Sequence, residues 1–293
     1  MDELACYLKA GEVASRIIKK YKEKIKPGVF ALEIAESIEK EIWETCKPAF
    51  PVNISINNQA AHFTPEFGSS YSFSEKDIIK IDIGTQVDGF ICDCAFTVDL
   101  SGEYQNLVEA CEVALENAIA LIKPGIKIKE VGAEILRTIN EKGFKPIRNL
   151  HGHLLTRYNL HSGISIPNVA EGEETLEEGQ VFAIEPFATT GSGLVRETNF
   201  VEIFKIVKKS QVRQKSGREL LAKIEKYDNL PFAKRWLRKE FGEFELNLGL
   251  RELLLNKIIK SYPGLQDVPG SFVAQAEKTV LIEKDGARPL VEF

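Results

Sequence analysis

"KIDIGTQVDGFICDCAFTVD", residues 80–99, places two acids, Asp82 and Asp93, inside runs that otherwise alternate like buried strands. Asp88-Gly89 between them is the dipeptide that most strongly signals a two-residue hairpin turn. With that turn, Asp82 falls opposite Ala95 and Asp93 opposite Gly84, so the acids become diagonal neighbours on one face, about 7 Å apart at their backbones. Cys92 and Cys94 alternate to the other face, which argues against a thiolate ligand pair in "CDC". An ionised acid taken out of water without a partner costs several kcal/mol. The two acids therefore face solvent or share a partner, and the hairpin alone leaves both readings open.

The chain around the hairpin has 293 residues, 44% of them hydrophobic, enough to bury a sizeable core in one large domain or two modest ones. A net charge of −5 gives no overall basic character that would mark nucleic acid as the main partner. The opening residues are charged throughout at helical spacing, unlike a signal peptide, and no run approaches the roughly 18 apolar residues of a membrane span. A cytoplasmic protein without membrane contact is expected. Cysteines 6, 46, 92, 94 and 111 contain no C-x-x-C pair, so reduced core residues are expected rather than a disulfide framework.

Two segments begin alike, "IKPGVFALEIAESIEKEI" from Ile25 and "IKPGIKIKEVGAEILRTI" from Ile122, with seven of eighteen positions identical, which points to two related halves. In both, Pro-Gly precedes an amphipathic helix whose apolar face carries Ile34, Ile38 and Ile42 in one copy and Val131, Ile135 and Ile139 in the other. Strand-like stretches follow each copy, and "GSFVAQAEKTVLIEK" (270–284) adds another near the end. Helices and strands alternate in both halves, an α/β (α+β) arrangement. Between about 212 and 269, "SGRELLAKIEKYD", "PFAKRWLRKEF" and "FELNLGLRELLLNKIIKSYPG" predict three helices, a helical insertion in the second half. Its Lys and Arg are interspersed with Glu and Asp, as on a solvated helix face rather than a nucleic-acid surface.

The four histidines fall at 62, 151, 153 and 161, three of them within "HGHLLTRYNLH". Such clustering beside Gly152 in a strand-like segment favours a metal ligand with proton-handling neighbours. Glu185 in "FAIEPF" and Glu277 in "AQAEKTVL" are further lone acids in apolar stretches. Each alone reads as a solvent-facing strand acid; four such acids with a histidine form a much less accidental set.

The order Asp, Asp, His, Glu, Glu in these contexts resembles the pita-bread metallopeptidases, and most closely the type 2 methionine aminopeptidases in their archaeal form. "FPVNISINNQAAHFTP", "KPIRNLHGH", "SGISIPN", "FAIEPF" and "KRWL" match family signatures in the same order along nearly the whole chain. The resemblance implies one catalytic pita-bread domain over 1–293, with two pseudo-symmetric halves around a curved antiparallel sheet and the insertion at about 212–269 marking type 2. It implies a dinuclear site of cobalt, manganese, iron or zinc, with Asp93 and Glu277 bridging, Asp82 completing one ion's shell, and His153 and Glu185 the other's. His161 would stabilise the scissile carbonyl oxygen, His62 would hydrogen-bond the scissile amide, and Glu185 would handle the proton passed to the leaving amine. Phe50, Leu160 and Tyr262 would shape the methionine pocket. His151 has no role in that scheme, and Arg196 stands where some relatives carry a pocket histidine.

The implied activity is hydrolytic removal of the initiator methionine from nascent proteins whose second residue is small, by a monomer, with ribosome contact left open. By that rule the chain's own Asp2 predicts retention of Met1. Two other readings use the same fold: a proline-specific, prolidase-like peptidase, and a non-catalytic pita-bread protein that binds RNA or the ribosome.

Overall fold

In the computed structural model, residues 2–208 and 210–293 are described, so Met1 and its retention lie outside the described residues. The two matched segments form α2 (Ala31–Thr45) and α4 (Ile128–Glu141), each preceded by a longer helix, α1 (Glu3–Lys22) and α3 (Gln105–Leu121). Ile34, Ile38 and Ile42 are buried in one core with α1, and Val131, Ile135 and Ile139 in another with α3, as the apolar spacing predicts. α1 opens with Glu3 and closes with Lys19, Lys20 and Lys22, complementing its dipole. α4 is capped by the Glu130 carboxylate, which accepts the Lys127 N–H at 3.0 Å.

The hairpin of residues 80–99 forms in the predicted register: strands Ile78–Val87 and Phe90–Asp99 pair with Asp82 opposite Ala95 and Gly84 opposite Asp93. Asp88 and Gly89 have φ of 51° and 88°, the two positive values that a type I′ turn requires. Cys92 and Cys94 are buried in the first-half core behind the hairpin, away from the acids. The strand Asn53–Ile56 pairs with the outer edge of Ile78–Val87. In the second half, Val181–Ile184 lies between His151–Leu155 and Lys278–Glu283.

All these pairings are antiparallel, as expected for the fold, and the strands are spread over several short sheets. The halves meet where Phe90–Asp99 runs beside the end of the chain. Ala95 and Glu277 exchange both backbone hydrogen bonds, at 3.2 and 3.0 Å. Two residues to one side, the Thr97 hydroxyl donates to the Gln275 carbonyl at 2.6 Å; two to the other, the Thr279 hydroxyl donates to the Asp93 carbonyl at 2.7 Å. Each half thus lends one threonine to hold the other's backbone.

The segment from about 212 onward departs from three helices. α5 (Lys215–Ile224) and α6 (Glu243–Leu255) form, but "PFAKRWLRKEF" becomes a short strand, Phe232–Ala233, and a 3₁₀ turn, Lys234–Leu237. "NKIIKSYPG" does not continue α6: Lys257 adopts φ 54° and Ile259–Tyr262 turns into a strand paired with Ile203–Ile206. Its β-branched and aromatic residues suit a strand, and the amphipathic helix before it hid the boundary. These elements share a separate apolar core that includes Phe204, Leu220, Phe232, Leu250 and Ile259. No helix among the described residues is long and apolar enough to cross a membrane.

Candidate metal centre and active site

Where the two halves meet, a cavity of about 250 Å³ is lined by every residue assigned to the site from the sequence: Asp82, Asp93, His153, Glu185, Glu277, His62, His161, Phe50, Leu160 and Tyr262. Asp82 and Asp93 arrive from the hairpin by strand alternation. His153 is carried by the strand His151–Leu155, whose Gly152 is needed because a Cβ there would stand 2.4 Å from the Ala183 carbonyl oxygen of the neighbouring strand. Glu185 and Glu277 are not within strands but at breaks, Glu185 just after Val181–Ile184 and Glu277 just before Lys278–Glu283. A break frees the side chain from strict alternation and lets it turn towards the hairpin.

One oxygen each from Asp93 and Glu277 and one ring nitrogen from His153 lie within 4.8 Å of one another. His153 Nε2 is 3.7 Å from Asp93 Oδ2 and 3.5 Å from Glu185 Oε1. The Asn53 amide donates to Asp82 at 3.2 Å and the Gln275 amide to Glu277 at 3.0 Å. Asp82 Oδ1 and Asp93 Oδ1 are buried without any partner. Asp93, Glu277 and His153 are only 3%, 2% and 6% exposed, so water does not solvate them.

Burial pushes the Asp82 carboxyl up to about 7, with the Asn53 amide and the Asp93 hydrogen bond pulling it back. Burial first, and then the charges of the other acids, push Asp93, Glu185 and Glu277 well above the usual carboxylate range. Burial pushes His153 well below the usual imidazole range and His62 down to about 4. Four converging acids, two of them with an orphaned oxygen, and one neutral imidazole nitrogen fit divalent metal: the donors are hard, anionic and short of cationic partners.

This predicts a pH response for metal-stripped protein. The acids keep their protons in the folded state after the unfolded chain has lost them, so their contribution to stability falls as pH rises from about 4 through about 7. His62 and His161, held near 4 against 6.5, act oppositely, adding stability up to about 6.5. Above that value only the acids remain. Chelated protein should therefore melt at a lower temperature at pH ~8 than at pH ~6.5, and Mn²⁺ should remove most of the difference. Scanning calorimetry at both pH values, with and without chelator, tests this; a stripped protein whose melting temperature is level or rises over that interval contradicts it.

Beyond the carboxylates the wall is aromatic and apolar. The His161 ring lies 4.3 Å from that of His153, and the His62 ring 5.3 Å from that of Tyr262, centroid to centroid. The Nδ1–H of His62 donates to the Pro263 carbonyl at 3.2 Å, which leaves Nε2 as an acceptor. His161 is accessible at the rim, yet the protein around its ring, and after it the charges of His62, Lys205 and Lys260, push its pKa down to about 4. Phe50 reaches the cavity because Gly84 has no side chain; a Cβ there would stand 2.3 Å from the Phe50 ring. The Tyr262 hydroxyl is buried without a partner.

His151 reaches only the rim, its Nε2 3.2 Å from the Arg148 carbonyl. Arg196 is exposed on a short strand, Arg196–Glu197, and does not line the cavity. Sequence reasoning missed Asn53, Gln275, Thr97 and Thr279. Asn53 and Thr97 sit between apolar residues as the acids do, but Thr279 follows Glu277 and Lys278 directly, and neutral side chains such as these carry no burial penalty large enough to single them out.

Comparison with known proteins places this architecture. Residues 5–213 match the model of metallopeptidase family M24. A curated methionine aminopeptidase from Thermococcus kodakarensis is 47% identical over 98% of this chain and 99% of its own length. Among solved structures, a thermophilic Arx1 superposes with a TM-score of 0.85 at 16% identity, covering 99% of this chain and 91% of its own. A methionine aminopeptidase from Rickettsia prowazekii superposes with a TM-score of 0.71 at 19% identity, covering 98% and 95%.

Proposed function

This chain belongs to metallopeptidase family M24, and from that premise we propose that it is a type 2 methionine aminopeptidase, removing the initiator methionine from nascent proteins whose second residue is small. The observation that carries the reading is the convergence of four acids with His62, His153 and His161 on one cavity at the junction of the halves. Asp82, Asp93, His153, Glu185 and Glu277 would together hold the divalent metal, Asp93, Glu277 and His153 offering donor atoms within 4.8 Å of one another. The oxygen-rich donor set suits manganese, iron, cobalt or zinc. Bound there, such ions supply Lewis acidity towards water and a carbonyl oxygen.

The chain's own residues do the rest. His62 offers Nε2 as an acceptor for the scissile amide N–H, and its low pKa keeps that lone pair free at neutral pH. His161, neutral for the same reason, presents a ring N–H to the carbonyl oxygen as it becomes tetrahedral. Glu185, facing the cavity 3.5 Å from His153 Nε2, would pass the proton taken from the attacking water to the leaving amine. Phe50, Leu160 and Tyr262 close around an unbranched apolar side chain, and the small cavity excludes a longer peptide on that side. Residues at about 212–269 are read as the type 2 insertion in a single catalytic domain, supplying Pro231 and Tyr262 to the wall. The protein is taken to act as a cytoplasmic monomer on chains leaving the ribosome.

Methionine release from Met-Ala-Ser peptides by stripped protein reloaded with each metal tests the reading, alongside an Xaa-Pro peptide. Release of methionine with at least one metal is expected. Turnover of the Xaa-Pro peptide alone would redirect the site to a prolidase-like reaction, and inactivity with every metal would leave a non-catalytic binding protein.

A further inference from the structure

The strands Ile203–Ile206 and Ile259–Tyr262 form one wall of the cavity, with Ile203 opposite Tyr262 and Lys205 opposite Lys260. Ile203 and Tyr262 line the cavity, while Phe204, Ile206 and Ile259 face the helical core behind. By alternation, Lys205 and Lys260 share the face of Ile203 and Tyr262, one step of about 7 Å further out. Two lysines therefore stand side by side on the continuation of the cavity wall.

That pairing is unfavourable as it stands. Like charges directly opposite on a sheet destabilise it. Lys205 is half-buried, and burial together with the Lys260 charge pushes its pKa down. Among the described residues neither ammonium forms an ion pair with a carboxylate. The Lys260 Nζ lies 4.6 Å from the centre of the Tyr262 ring, and both charges reach His161, so the pair borders the reaction space rather than remote solvent.

We propose that Lys205 and Lys260 form a carboxylate subsite at the cavity mouth, favouring substrates with Asp or Glu at roughly the third or fourth position of an extended chain. This deepens the peptidase reading above and rests on it. The occupant supplies the negative charge that the fold leaves out, and the two ammonium groups flank a path that leads outward from His161 and Tyr262. No covalent step is added: the subsite changes only how the chain beyond the scissile bond is held.

The test compares methionine release from Met-Ala-Ser-Glu-Gly-amide and Met-Ala-Ser-Gln-Gly-amide by metal-loaded wild type, Lys205→Gln/Lys260→Gln and Lys205→Arg/Lys260→Arg. Wild type should favour the glutamate peptide by roughly threefold to tenfold in kcat/KM, mostly through KM, and the preference should shrink as salt is raised. The glutamine double variant should bring the ratio close to one, and the arginine double variant, which keeps both charges, should retain it. A third substrate, the glutamine peptide with a free C-terminal carboxylate, separates the sources of negative charge. A wild-type ratio near one, a preference that survives in the glutamine double variant, or a preference confined to the free terminus each overturns the proposal. Release from the glutamine amide by wild type reports on the underlying reading, so a flat ratio with normal release refutes the subsite alone, whereas no release from any peptide refutes both.

Discussion

Asp93→Asn should reduce methionine release by at least about a thousandfold, because changes one shell further from a metal already cost 10–100-fold. An oxygen of Asp93 lies in the cluster with Glu277 and His153, and its Oδ1 is buried without a partner. An amide of the same shape removes the charge and turns a donor atom into an N–H that metal cannot use. The same substitution should leave the stripped protein as stable as wild type or more so, since it removes one of four mutually repelling acids. Opposite signs for activity and apo stability distinguish a ligand from a structural residue. Kinetics with metal analysis and thermal melts measure both, and a stripped Asp93→Asn protein that melts well below wild type would contradict the assignment.

Arg235→Ala should cost about 3–5 kcal/mol of stability, the range for stranding one partner of a buried ion pair. Arg235 and Glu39 are 4% and 5% exposed and bonded to each other, joining the Lys234–Leu237 turn to α2 in the first half. Burial pushes the Glu39 carboxyl up, and Arg235 opposes it most, ahead of the Trp236 indole at 2.8 Å and the Val52 N–H at 3.1 Å. Arg235 also holds Thr64 and the Pro65 carbonyl, two and three residues from His62. His62 has φ 65°, a left-handed conformation that a non-glycine residue holds only when its surroundings insist. The Ala variant should therefore also raise KM or lower kcat for Met-Ala-Ser, while Arg235→Met/Glu39→Leu should recover most of the stability. Urea titrations of both variants check this; a loss under about 1 kcal/mol in the Ala variant would mean that the pair is not what docks the turn.

The hairpin and the paired helices were legible because each rests on local chemistry. Asp88-Gly89 sets the register, and apolar spacing sets the buried faces of α2 and α4. The four acids were legible as lone charges in apolar stretches and three of the histidines by their clustering, whereas Phe50, Leu160, Tyr262 and every role came from the resemblance alone. The boundary after Leu255 was not, because an amphipathic helix and the strand after it are both rich in Leu and Ile. Nor was the break that carries Glu277: what ends the strand there is its exchange of hydrogen bonds with Ala95, a residue far away in sequence. Asn53, Gln275, Thr97 and Thr279 carry no distinctive motif, and their importance comes from what the other half places opposite them.

The bridge between Ala95 and Glu277 also sets a timetable. At about 5–20 residues per second of synthesis, the first half of the chain emerges well before the segment that completes the site. Asp82 and Asp93 wait as an incomplete, self-repelling pair until residue 277 clears the exit tunnel. An enzyme that trims the beginnings of proteins is thus idle towards its own beginning until residue 277 has been made and has folded back onto the hairpin.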